Sequence, residues 1–136
     1  MEGFDMTSIF ADVANLAEQI NHSTEAKEYR KYKVHLQEHA EVQQLLQEFQ
    51  RVKDDFAEAQ RFGIFHPNYH EAKAKAQEYQ QRLNTHPVIA QFRQAEEQLD
   101  QLLHQVSLII AHSVSESIKV PSNQLQKQTR NQSCSR

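Results

Sequence analysis

The feature that most constrains this chain is its lack of helix breakers. Only two glycines (Gly3, Gly63) and three prolines (Pro67, Pro87, Pro121) interrupt 136 residues dominated by Gln, Glu, Ala, Leu and Lys. All five of those residue types are good helix formers, so a β-rich fold is excluded in practice. Apolar residues at three-and-four spacing then divide the chain. Ile9, Phe10, Val13, Leu16, Ala17 and Ile20 predict a helix from about residue 7 to 21. Ser23 or Thr24 can cap a second helix carrying Ala26, Tyr29, Tyr32 and Leu36 on one side and ending near His39.

Val42, Leu45, Leu46, Phe49, Val52, Phe56 and Ala59 form a near-heptad seam over residues 41–62. Gly63 supplies a stop and Pro67 a restart as a first-turn residue. Tyr69, Ala72, Ala76, Tyr79 and Leu83 define a fourth helix, closed by Asn84-Thr85-His86 before Pro87. A last helix runs from Pro87 to about Ile118, roughly 48 Å long at 1.5 Å per residue. Near its end Leu108, Ile109, Ile110, Val114 and Ile118 make a stripe wide enough for a partner helix, or for a place between helices one and three. The expected fold is all-α: an elongated bundle of about five helices with a long C-terminal helix. Residues 1–120 form the helical domain and residues 121–136 a disordered basic tail.

Net charge is −3, and three cations with no acid beyond Pro121 leave −6 on the first 120 residues. Such a body is a poor general binder of nucleic acid, whose nonspecific affinity comes from neutralised phosphates. The stretch Lys27–Lys33 mixes bases with Tyr29 and Tyr32 and could touch RNA, but those tyrosines fit the buried face, so direct RNA contact is not expected. No apolar run of membrane-spanning length and no signal-peptide pattern is present, which points to the cytoplasm without membrane insertion.

Catalytic patterns are missing. Two glycines sixty residues apart cannot form a phosphate loop, and no serine stands between glycines as in a nucleophile elbow. Eight histidines include two pairs at helical spacing, His35 with His39 and His66 with His70, but none follows a glutamate by three residues as a di-iron bundle requires, so solvated or capping roles are expected for the pairs. The adjacent acids Asp54-Asp55 and Glu96-Glu97 read as solvated faces. No enzyme is expected.

More specific are Glu28-Tyr29-Arg30, Val52-Lys53-Asp54, the segment Gln60-Arg61-Phe62-Gly63 to His66-Pro67-Asn68-Tyr69, Phe92-Arg93-Gln94-Ala95-Glu96, and the ending Val114-Ser115-Glu116-Ser117-Ile118-Lys119-Val120-Pro121. On these residues the chain resembles the YlbF/YmcA (Com_YlbF) regulator family over nearly all of residues 7–121. The resemblance implies a non-catalytic regulatory subunit affecting competence, sporulation and biofilm formation. It would act with YmcA-like and YaaT-like proteins to direct messenger-RNA processing by RNase Y.

The resemblance also implies a [4Fe-4S] cluster shared between subunits. Four thiolates are normally needed and Cys134 is the single cysteine, so this chain could donate at most one ligand. Expected partner-contact residues are Arg61, Phe62, His66, Pro67 and Tyr69 of the connection, and Ile110, Val114 and Ile118 of the last helix. Phe62, Pro67 and Tyr69 fit the simpler role of pinning the turn rather better, since a tight helix connection would use such residues anyway. A self-associating structural protein that forms a homo-oligomer, or a metal- or redox-sensing helical protein, would also fit the pattern.

Overall fold

A computed structural model describes residues 5–123. They form five α-helices: α1 (Met6–His22), α2 (Thr24–Glu38), α3 (Ala40–Arg61), α4 (Tyr69–Thr85) and α5 (Pro87–Val114). The all-α expectation holds, with each helix within a few residues of its predicted span. Expectations for residues 124–136, including Cys134 and most of the basic tail, lie outside the described residues.

The breaks between helices are local. Asp5 caps α1 by accepting the N–H of Thr7. Ser23 then works in both directions: its hydroxyl donates to Ile20 O at 2.6 Å and accepts the N–H of Ala26 at 3.2 Å, closing α1 and opening α2. At the next joint His39 accepts the N–H of Val42 through Nδ1, while Gln43 Nε2 donates to Leu36 O at 2.8 Å and satisfies a carbonyl at the end of α2.

The chain divides into two compact units. One is Lys27–Ala95; the other combines the described residues up to Ala26 with those from Glu96 onward. The first contains a core of Val42, Leu45, Leu83, Val88 and Ile89, with Leu36, Phe49 and Tyr79 packed against it. This cluster joins the end of α2, the start of α3, the end of α4 and the start of α5. Val42 is fully enclosed. Tyr29 packs against Phe92 with ring centroids 5.6 Å apart, and Arg93 donates to Asn84 Oδ1 at 2.7 Å, tying α5 to α2 and α4. Along the hairpin, α3 and α4 are in contact.

In the second unit α5 stops earlier than the expected Ile118. It is 28 residues long, about 42 Å. The serine-rich segment explains the end: Ser113 Oγ donates to Ile110 O, and Ser115 Oγ accepts the N–H of Ser117, drawing the backbone away from helical pairing. A turn from Ser115 to Ile118 follows. Asn123 then donates to Asp100 Oδ1 at 2.6 Å, so the chain doubles back beside α5. Pro121–Asn123, expected as the start of the tail, belong to this returning segment.

Candidate docking site

The Arg61–Tyr69 segment is built by a turn with little freedom. Gly63 adopts φ +85, which an L side chain rarely takes, and its N–H and that of Phe62 bond back to carbonyls of the last turn of α3. His66 N–H returns to Gly63 O, and Tyr69 N–H to His66 O, both at 3.0 Å. Pro67 thus occupies the second position of a β-turn, where its fixed φ is favourable. The helix restarts at Tyr69, two residues later than the expected first-turn proline, because this turn intervenes.

Two ring contacts hold the turn. Phe62 lies 5.3 Å from His66, and Tyr69 lies 5.6 Å from Phe56 of α3, centroid to centroid. Phe62, His66, Pro67 and Tyr69 are therefore brought together, with Arg61 exposed in the last turn of α3. The loop leaves Ile64 and Phe65 in solvent, Phe65 at 93% exposure.

Beside this turn, between α3 and α4, lies a groove of about 420 Å³. Val52, Ala59 and Ala72 form its apolar lining, and Phe62, His66 and Asn68 its end. Asp55 and Glu58 from α3 and Glu71 from α4 set three carboxylates against one cation, Lys75.

The second unit presents apolar surface of another kind. Helix α1 buries none of its residues: Met6, Ile9, Phe10 and Val13 are exposed, Phe10 at 65%. At the end of α5, Ile109, Ile110 and Val114 are exposed, Val114 at 79%, and so is Ile118 beyond it. Burial among the described residues does not account for that stripe.

His39, Glu41 and His86 are a geometric candidate for a metal, each offering a ligand atom within 4.8 Å of the others. Their chemistry opposes it. Both imidazoles already accept backbone N–H groups through Nδ1, from Val42 at 3.4 Å and from Val88 at 3.3 Å. A metal at Nε2 would require the proton at Nδ1, where it would face those same donors. Of the two pairs at helical spacing, His35 and His39 do meet, 5.8 Å apart, whereas His66 faces Phe62 and His70 faces Tyr69.

The family model described as control of competence regulator ComK, YlbF/YmcA matches residues 9–115. The chain belongs to this family. The regulatory protein YlbF of Bacillus subtilis strain 168 is 36% identical over 111 residues, 82% of this chain and 74% of that protein. A chain in the crystal structure of Bacillus subtilis RicA in complex with RicF superposes with a TM-score of 0.76 at 33% identity, over 85% of this chain and 100% of that one.

As a family member, the chain splits its sequence-predicted contact residues between the two units, with Arg61 to Tyr69 in one and Ile110, Val114 and Ile118 in the other. Sequence reading missed the groove, treating Asp55 as part of a solvated face. Its signal was present as alanines at positions 59 and 72 on facing helices, where a larger pair would have filled the space. The rings of the Lys27–Lys33 stretch are engaged within the chain: Lys33 Nζ lies 5.7 Å from the Tyr29 ring, which itself packs on Phe92. No helix among the described residues is long and apolar enough to cross a membrane.

Proposed function

We propose that this chain is a non-catalytic regulatory subunit that works by docking to other proteins in the cytoplasm. The observation that carries the reading is the uncovered apolar surface of the second unit, where α1 buries nothing and the end of α5 exposes Ile109, Ile110 and Val114. Family membership and likeness to a chain crystallised in a complex of RicA with RicF support a heteromeric role. The partners in this reading are YmcA-like and YaaT-like proteins. The assembly directs transcript processing by RNase Y, with effects on competence, sporulation and biofilm formation. The Arg61–Tyr69 turn offers a second contact. Cys134 would supply one thiolate to a cluster completed by other subunits, since one cysteine cannot satisfy four positions.

Anaerobic affinity purification of the full chain tests this, scoring YmcA-like protein, YaaT-like protein, RNase Y and iron together. The wild-type chain should bring down all three proteins, and Val13→Asp with Val114→Asp should lose them while remaining folded. Recovery as a homo-oligomer alone, with the same surface covered by a second copy, would replace the regulatory reading with a self-associating one.

A further inference from the structure

The groove between α3 and α4 owes its volume to two small residues. Val52, Asp55 and Ala59 of α3, continued by its C-cap Phe62, follow the three-and-four spacing along one ridge, while Glu71, Ala72 and Lys75 of α4, preceded by its N-cap Asn68, do the same. Where facing helices usually interdigitate, Ala59 and Ala72 offer only methyl groups, and about 420 Å³ is left open. The apolar lining suits an alkyl stem. Three carboxylates against one lysine suit a cationic head, and Phe62, an exposed aromatic residue, stands in the lining of the same groove. The adjoining Ile64 and Phe65 are exposed, so the guest has apolar residues beside its cation.

We infer that this groove receives an arginine side chain from an apolar segment of a protein partner. Arginine fits better than lysine because its planar guanidinium can take two carboxylate oxygens and stack on an aromatic face at once. The guest's methylenes lie along Val52, Ala59 and Ala72. Its guanidinium lies among Asp55, Glu58 and Glu71. The inference deepens the docking reading above and rests on it, but its test needs no regulatory partner, so the two can fail separately.

The probe is the blocked tripeptide acetyl-Leu-Arg-Leu-amide, titrated into the isotopically labelled full chain and followed by amide NMR shifts. Its citrulline counterpart keeps the shape and removes the charge. Shifts should concentrate in residues 52–62 and 68–75, with the citrulline peptide about tenfold weaker. Ala72→Leu, a conservative change for a half-buried helix position, should abolish the shifts by filling the groove while every carboxylate remains. Glu58→Gln with Glu71→Gln should weaken binding about tenfold and leave the helical circular dichroism unchanged. Equal binding of the citrulline peptide, shifts spread over all the exposed acids, or full binding by a folded Ala72→Leu chain would each overturn the inference.

Discussion

His39 and His86 face each other edge to face, ring centroids 5.6 Å apart, and each caps the helix that follows it. His39 serves α3 and His86 serves α5, so two helix starts are fastened beside the core at one point. His39→Ala should therefore lower stability by about 1 kcal/mol, the usual value of a lost cap. His39→Asn should recover most of that, since Asn is among the best capping residues, whereas a metal-holding role would not be rescued this way. Urea denaturation of the two variants separates these outcomes, and zinc should raise the melting temperature of neither the wild-type chain nor His39→Asn.

Gly63 separates backbone strain from crowding. An added Cβ meets nothing within 4 Å, yet φ is +85. Gly63→Ala should cost about 1–2 kcal/mol from the left-handed conformation alone. Gly63→Asn should cost less, because Asn tolerates that region. Equal losses in the two variants, measured by denaturant unfolding, would show that conformational strain is not what selects glycine here.

Helix number and helix type were legible because Val42, Leu45 and Val52, and likewise Tyr69, Tyr79 and Leu83, repeat at helical spacing with few glycines or prolines to break them. The Phe62–Tyr69 assembly was also legible, as Gly63 and Pro67 act only through local backbone geometry. The histidine caps were legible only in part: solvated or capping roles are what the paired histidines suggest, but which of them caps a helix was not, since His39 reads equally well as the end of α2. Nor was the groove, which depends on Ala59 and Ala72 facing each other across two helices, a tertiary relation that periodicity within one helix does not contain. Serine competition shortened α5, since Ser113 and Ser115 hold backbone groups, Ile110 O and Ser117 N–H, that a reading of the apolar stripe assigned to the helix.

The hydrogen bond from Asn123 to Asp100 bridges 23 positions. Nine residues from Val114 can span about 30 Å when extended, and the 14 steps of helix back to Asp100 cover about 21 Å, so the return needs no strain. Asn123→Ala should remove up to about 1 kcal/mol from this exposed contact. The loss should stay local, because the segment can open without unfolding the core. Amide exchange at residues 115–123 should accelerate, and unchanged exchange there would mean that the segment is held by other contacts.

Core and docking surface should respond to substitution in opposite ways. Leu83 is buried in the Val42–Leu45–Val88–Ile89 cluster, so Leu83→Ala should cost about 3 kcal/mol, combining lost transfer energy with a cavity. Val13 and Val114 are exposed at 58% and 79%, and replacing either with Asp removes little buried surface. Each should alter the isolated chain's stability by no more than about 0.5 kcal/mol. In the assembled complex the same changes would bury an unpaired carboxylate, which costs far more than the apolar contact it replaces. Thermal melts of the chain alone and with its partners should thus diverge: Leu83→Ala lowers both, while Val13→Asp and Val114→Asp abolish only the increment due to partners. If Val114→Asp unfolds the isolated chain, the end of α5 is part of an internal core and the docking assignment for it fails.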